Sequence, residues 1–384
     1  MKTMHSLRLA LCGAAAFLTH TAFAQHWQTV VDFQYVPGSN AFAAGLTKDG
    51  AGNIYAAGDA RDGAGLWHAV AMKSSDAGAN WAIVDDYADL TGASNSGPGY
   101  DAGIAADAAG NLYAAGYDWA PGGPSTWFVR RSQDAGVTWS TVDSFTLGGS
   151  QAMPHALNTD SAGNVYVVGA ANTASSTLYS ITRKGIPLPG GGMTWSTVDS
   201  VSTSVFETSL GWTSGVFCHP TAGVFVAGVG SSRWLVRRSQ NGGATWATAD
   251  DYLLDPKKGS LACGIRGDAW GNLYAVGRGD KTYKGSTQSH WLVRKSSNGG
   301  ASWATVDDFL GGNAYGFASD SNGNLFVTGQ GWIVRKNPGG VGVWQTVDSF
   351  GATGKALIGD NAGNIFAAGS DYFDKKWLVR RGTP

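Results

Sequence analysis

One segment recurs along this 384-residue chain, and its recurrence limits the possible fold more than any other feature. "DGAGNIYAAG" (49 to 58), "DAAGNLYAAG" (107 to 116), "DSAGNVYVVG" (160 to 169), "DAWGNLYAVG" (268 to 277), "DSNGNLFVTG" (320 to 329) and "DNAGNIFAAG" (360 to 369) share one pattern, and "HPTAGVFVAG" (219 to 228) is a degenerate seventh copy. Their closing glycines lie about 40 to 59 residues apart, a period that fits the blades of a β-propeller. Asp followed three residues later by Gly suits a type I turn joining two antiparallel strands. In the degenerate copy, Pro220 can preset the same turn. The residues after the turn are apolar on both faces, as in a strand sandwiched between neighbouring sheets.

Two further elements complete the repeat. One opens W-x-V-R-[RK], with clear copies at Trp127, Trp234, Trp291, Trp332 and Trp377, a looser one at Trp67 and a poor one over 178 to 184. The other is W-x-T-V-D-x-F, opened by Trp27, Trp81, Trp139, Trp195, Trp246, Trp303 and Trp344. Each repeat therefore predicts four short strands, A to D from inside outward. Glu207 is the only glutamate, while Gly, Thr, Ser, Val and aromatic residues are plentiful; this composition argues for an all-β chain. The last repeat stops after "WLVRR", and "WQTVVDF" (27 to 33) is a D strand with no blade of its own. Joining them gives a seven-bladed β-propeller with four-stranded blades, closed by the N-terminal strand pairing with the C-terminal blade. Such a ring has no open end.

Residues 1–24 read as an export signal: Lys2 and Arg8, an apolar stretch from Leu9 to Leu18, and Ala22-Phe23-Ala24 before Gln25. The propeller is then expected over 25–384 of a secreted or periplasmic protein. Losing Lys2 and Arg8 takes the formal charge from -1 to -3, without the clustered cations that nucleic acid needs. No later run approaches a membrane span. Cys12 is poorly placed for a lipid anchor. The two remaining cysteines, Cys218 and Cys263, fall at different heights of corresponding strands and are expected as free, buried thiols. A monomer is expected.

Between strands C and D lie "SSDAGANW" (74 to 81), "SQDAGVTW" (132 to 139), "SQNGGATW" (239 to 246) and "SSNGGASW" (296 to 303). These segments resemble the Asp-box (BNR repeat) of sialidase-like propellers. The resemblance implies a turn on the face away from the active site, with the aromatic residue packing into the sheet. Burial of each such indole is expected to contribute on the order of 4 to 6 kcal/mol at most.

Residues common to every blade read as scaffold, so function is sought where the blades differ, in the D–A and B–C loops of the opposite face. Trp119 and Trp212 there are candidate sugar-stacking platforms, with Tyr100 beside the channel mouth. Asp101 and Glu207 are candidates for the two carboxyls of a glycosidase, and His155 is a further catalytic candidate. Arg61, Arg233 and Arg278 are candidates to converge on an anionic group. Sialidases, by resemblance, clamp a substrate carboxylate with three arginines, but their R-I-P motif is absent here. Neither a cofactor motif nor metal-ligand spacing is found. The expected function is binding of an extracellular ligand, a carbohydrate before a protein, at the channel mouth. The alternatives are a glycoside hydrolase or polysaccharide lyase, or a protein-assembly scaffold.

Overall fold

A computed structural model describes residues 25–88, 97–119, 123–205 and 215–384. Residues 1–24, expected to be an export signal, and Cys12 among them lie outside the described residues. The chain forms seven four-stranded antiparallel sheets; the only helical turn among the described residues is a 3-10 turn at Pro338–Gly340. Blades I to VII begin with the innermost strands Ala41–Lys48, Gly97–Ala106, Ala152–Thr159, Gly215–His219, Ser260–Gly267, Ala314–Ser319 and Thr353–Gly359. The expected closure is present: His26–Phe33 pairs antiparallel with Lys376–Thr383, placing Phe33 opposite Trp377 and Trp27 opposite Gly382.

The repeated aspartate makes the A–B turn. Asp49 Oδ1 accepts the backbone N–H groups of Ala51 and Asn53 at 3.0 and 2.9 Å, Oδ2 accepts Asn53 Nδ2 at 2.7 Å, and the Gly52 N–H closes the turn on Asp49 O at 3.1 Å. Gly52 has φ 88°, which a side chain would disfavour. In the degenerate copy the His219 ring replaces the carboxylate: Nδ1 accepts the Thr221 and Ala222 N–H groups, and Nε2 donates to Gly271 O. The S-x-[DN]-x-G-x-x-W segments fold in the same economical way, with Ser74 Oγ accepting the Gly78 N–H and Asp76 Oδ1 the Asn80 N–H.

The core corrects one expectation. The D-strand tryptophans are mostly only half-buried; the large buried indoles open strand C, where Trp127, Trp234, Trp291, Trp332 and Trp377 are fully enclosed. Each packs between blades, as where the Trp234 ring lies 2.8 Å from the position a Cβ on Gly277 would take. A Cβ on that glycine would also collide with the Leu261 carbonyl oxygen. Corresponding clashes with strand A face Gly58, Gly116, Gly169, Gly329 and Gly369, so close backbone approach accounts for the closing glycine of the repeat.

Trp67 is also reassigned. Ala69 pairs with Tyr87 as Trp127 pairs with Phe145; Ala69 therefore occupies the repeat position, and Trp67 stands two residues before it.

The strand-C arginines join the blades. Arg183 makes a bidentate pair with Asp143, both bonds 2.7 Å, and Arg294 does the same with Asp250. Arg130–Asp85, Arg237–Asp199, Arg335–Asp307 and Arg380–Asp348 repeat the contact. In each case the arginine reaches the D strand of the preceding blade. At the seventh junction Met72 and Val31 stand at the two positions, inside one buried cluster.

Candidate functional site

The register of every innermost strand except Gly215–His219 is interrupted by a bulge. An extra residue in a strand is left out of the ladder and can aim its side chain elsewhere. Here the residues skipped by the register are Ala44, His155, Cys263, Tyr315 and Lys355, with Tyr100, Asp101 and Ala102 in the longer bulge of blade II. All of these except Tyr100 line a central channel of about 710 Å³. Below them the strands crowd together: a Cβ on Gly45 would lie 2.7 Å from Gly103 Cα, and one on Gly215 would lie 2.8 Å from Gly264 Cα.

The channel is chemically lopsided. On blades VII, I and II its mouth carries aromatic rings: Phe42 stacks on Trp67 with centroids 6.0 Å apart and meets Tyr372 at 5.4 Å, while Tyr117 and Trp119 stand on the neighbouring blade. Asp59, Asp101 and Lys355 line the same part of the wall. A Cβ on Gly99 would lie 3.0 Å from Asp101 Oδ2 and 3.5 Å from Asp59 Cγ, so both carboxyl groups border one small space.

The electrostatics follow from this crowding. Enclosure by the channel wall raises the Asp59 carboxyl well above the usual range; the Asp101 charge adds to the rise and Lys355 opposes it. Asp101 remains open to channel water, yet the surrounding protein pushes it up to about 6 against the pull of its own backbone N–H and of Lys355. Two carboxylates in one site favour keeping a proton between them. Burial lowers Lys355 to about 7, opposed by Cys263, Asp101 and Asp59. The Tyr117 hydroxyl is raised first by the Asp101 charge and then by burial. On the far wall, burial lowers His155 to about 4. Nearer the channel base, Arg266 is lowered by burial and donates to the Val216 and Ile265 carbonyls.

The residues anticipated from sequence divide. Asp101, His155 and Trp119 line the channel. Tyr100 does not: it turns into the junction between blades I and II, fully buried, and donates its hydroxyl to Asp85 beside Arg130. The longer bulge points its two neighbours inward and this side chain outward. Arg61, Arg233 and Arg278 do not converge. Arg61 caps its own loop by donating to Gly65 O at 2.9 Å, Arg233 pairs with Asp251 at 2.6 Å, and Arg278 pairs with Asp280 at 3.1 Å. They belong to blades I, IV and V, and none lines the channel. Glu207 and Trp212 lie outside the described residues.

Asp59 and Trp67 were missed by the reading of loops, because both lie on strands. A signal was available. Asp59 stands one residue past a closing glycine, where the other repeats carry Tyr117, Ala170, Val229, Arg278, Gln330 and Ser370: a variable position inside an otherwise constant element.

Among the described residues no group of three or more His, Cys, Asp or Glu side chains is arranged to hold a metal ion, and no helix is long and apolar enough to cross a membrane. Cys218 and Cys263 are free and buried. No family model and no curated protein matches the chain. Solved structures do. The alpha-L-arabinofuranosidase Arb93A from Fusarium graminearum aligns with TM-score 0.57 and 13% identity over 94% of this chain and 97% of that one. The Hadza microbial sialidase Hz136 gives 0.55 and 13% over 89% of this chain and 65% of that one. YCF48 bound to D1 peptide gives 0.53 and 12% over 93% and 97%. At these identities the likeness is one of fold.

Proposed function

We propose that this protein binds a carbohydrate at the mouth of its central channel. The observation that carries the reading is the joint placement, on three adjacent blades, of an aromatic wall and two carboxyl groups around one opening. A pyranose or furanose presents an apolar C–H face, which packs on an indole or phenyl ring, and hydroxyls, which donate to carboxylates. Trp67 and Trp119 supply the first kind of contact, and Asp59 and Asp101 the second. Two of the structures of similar fold are named as glycosidases and support the same class by analogy. The segment at 1–24 favours an extracellular or periplasmic setting, where polysaccharides are the abundant ligands.

The test is a glycan array followed by calorimetric titration of the hits. Saturable binding that is lost in Trp67→Ala or Trp119→Ala supports the reading. Silence across plant, bacterial and animal glycans, with retention of a peptide from a peptide library, would replace it with a protein-binding role.

A further inference from the structure

We propose that Arg266 forms a phosphate-binding site in the lower part of the channel, with a free phosphate ion or a phosphate monoester as its ligand. The ground is the hydrogen bonding of its guanidinium. Nη1 donates to the Val216 and Ile265 carbonyls, both at 2.9 Å, which uses both of its N–H groups. The Nε and Nη2 edge carries the remaining three donors of the side chain, and these have no acceptor among the described residues. Arg131 Nε and Arg381 Nε are shut away from solvent without a partner. The Arg266 edge is not: water reaches it, and the cavity that Arg266 lines is the channel.

The charge sets this arginine apart as much as the donors do. Six strand-C arginines each face an aspartate, whereas no carboxylate among the described residues acts on Arg266. Its one titratable neighbour is the Cys218 thiol, which burial keeps protonated. A guanidinium stays charged at every working pH, so an enclosed one calls for a counter-ion. Stapling of neighbouring strands does not account for it. Two residues before the turn aspartate, blades I and III carry Thr47 and Asn158, whose side-chain oxygens accept the Ala106 and Cys218 N–H groups of the next innermost strand. A short neutral side chain is enough for that task, and the other four blades carry apolar residues there. Arg266 brings three donors and a positive charge beyond what its strand contact uses.

The open edge selects the ligand. Nε–H and one Nη2–H point the same way and meet two oxygens of one anion as a fork. Coulomb attraction scales with the product of the charges. A phosphate monoester, at about −1.5 to −2 near pH 7 with three acceptor oxygens, therefore gains more from a single fixed cation than a monovalent carboxylate does. Its remaining oxygens stay in the channel water. Asp59 and Asp101 stand on blades I and II and Arg266 on blade V, and neither acid acts on the guanidinium. The site does not depend on the carbohydrate reading; a phosphate carried by a bound sugar would engage both.

The experiment uses the full propeller and titrates it calorimetrically, at constant ionic strength, with inorganic phosphate and with glycerol phosphate beside glycerol. Arg266→Gln keeps an N–H donor for the Val216 carbonyl and removes the charge, while Arg266→Lys keeps the charge without the fork. Unchanged thermal melting in phosphate-free buffer shows that each variant is folded. The wild type is expected to bind phosphate saturably, with affinity on the order of tenfold or more weaker in Arg266→Gln and an intermediate loss in Arg266→Lys. Binding of the inorganic ion makes it the ligand. Binding of glycerol phosphate alone, lost in the same variant, makes the monoester the ligand. Should Arg266→Gln unfold, Arg266→Lys carries the comparison, and wild-type affinity in it would overturn recognition by the fork. No saturable response to either probe would overturn the site, as would equal affinity in wild type and Arg266→Gln. Loss in Lys355→Met with none in Arg266→Gln would move it to another part of the wall. Neutral glycans on the array carry no phosphate, so their binding or silence tests the carbohydrate reading separately.

Discussion

Met72 and Val31 share one buried cluster at the junction of blades I and VII, at the two positions where the other six junctions carry an arginine and an aspartate. Both partners are exchanged together. A buried guanidinium without its carboxylate pays a desolvation cost that nothing offsets, whereas an apolar pair of suitable volume avoids that cost.

The exchange can be reproduced at another junction. Arg294→Met alone should destabilise the protein by about 3–5 kcal/mol, because Asp250 is left buried without a partner. The double variant Arg294→Met/Asp250→Val should recover most of that loss. Urea unfolding of the single and double variants gives the comparison; equal destabilisation in both would show that the arginine acts by packing rather than by pairing.

The closing glycine offers a second test. Gly277→Ala places a methyl group against the Leu261 carbonyl and the Trp234 ring, and neither can move without shifting a strand or a buried indole. Overpacking of this kind costs about 1–3 kcal/mol and sometimes more, and backbone involvement puts this site at the upper end. Gly285→Ala is the control, since no heavy atom lies within 4 Å of the added carbon; its φ of 80° confines the cost to local strain. A smaller loss of thermal stability in Gly277→Ala than in Gly285→Ala would contradict this account.

The channel should also mark the pH dependence of stability, with opposite signs at two positions. His155 is neutral in the fold down to about 4, against an ordinary value of 6.5, so the unfolded chain takes up its proton first and stability falls as pH drops from 6.5 to 4. Asp101, raised from 3.8 to about 6, is protonated in the fold while ionised in the unfolded chain; its contribution grows as pH falls through 6. His155→Gln should therefore lose less stability on acidification than the wild type, and Asp101→Asn should lose more. Urea midpoints at pH 7, 5 and 4 read both slopes, and parallel curves for the three proteins would refute the assignment.

The aromatic wall gives a fourth prediction. Trp119→Ala and Trp67→Ala should each weaken glycan binding by about tenfold or more, the usual cost of removing a well-packed aromatic contact. Trp119→Phe should retain most of the affinity. Trp270→Ala, an exposed indole beside an A–B turn on the opposite face, should bind as the wild type does. Equal effects from Trp119→Ala and Trp270→Ala would remove the mouth from consideration.

How much of this was legible depended on repetition. A turn aspartate, a closing glycine and a strand-C arginine announce themselves because they return in blade after blade, and they lead to the ring and its closure. The site is built from exceptions, and an exception shows only once the register is fixed to the residue. Counting back from Ser74 and Ser132 would have put Ala69, not Trp67, at the repeated tryptophan position. The bulges were invisible for another reason: an extra residue in a strand leaves no composition signal, yet it decides that Asp101 faces the channel while Tyr100 beside it faces Asp85.

The pairing of His26–Phe33 with Lys376–Thr383 has a consequence for biogenesis. During synthesis the first strand emerges long before its partner, and until Lys376–Thr383 has been made it can find no native neighbour. Joining segments so distant in sequence carries a large loop-closure entropy and slows the last step of folding. Through that interval the polypeptide is an unclosed arc with two free sheet borders, so the time between synthesis and clasping is when it most needs a chaperone.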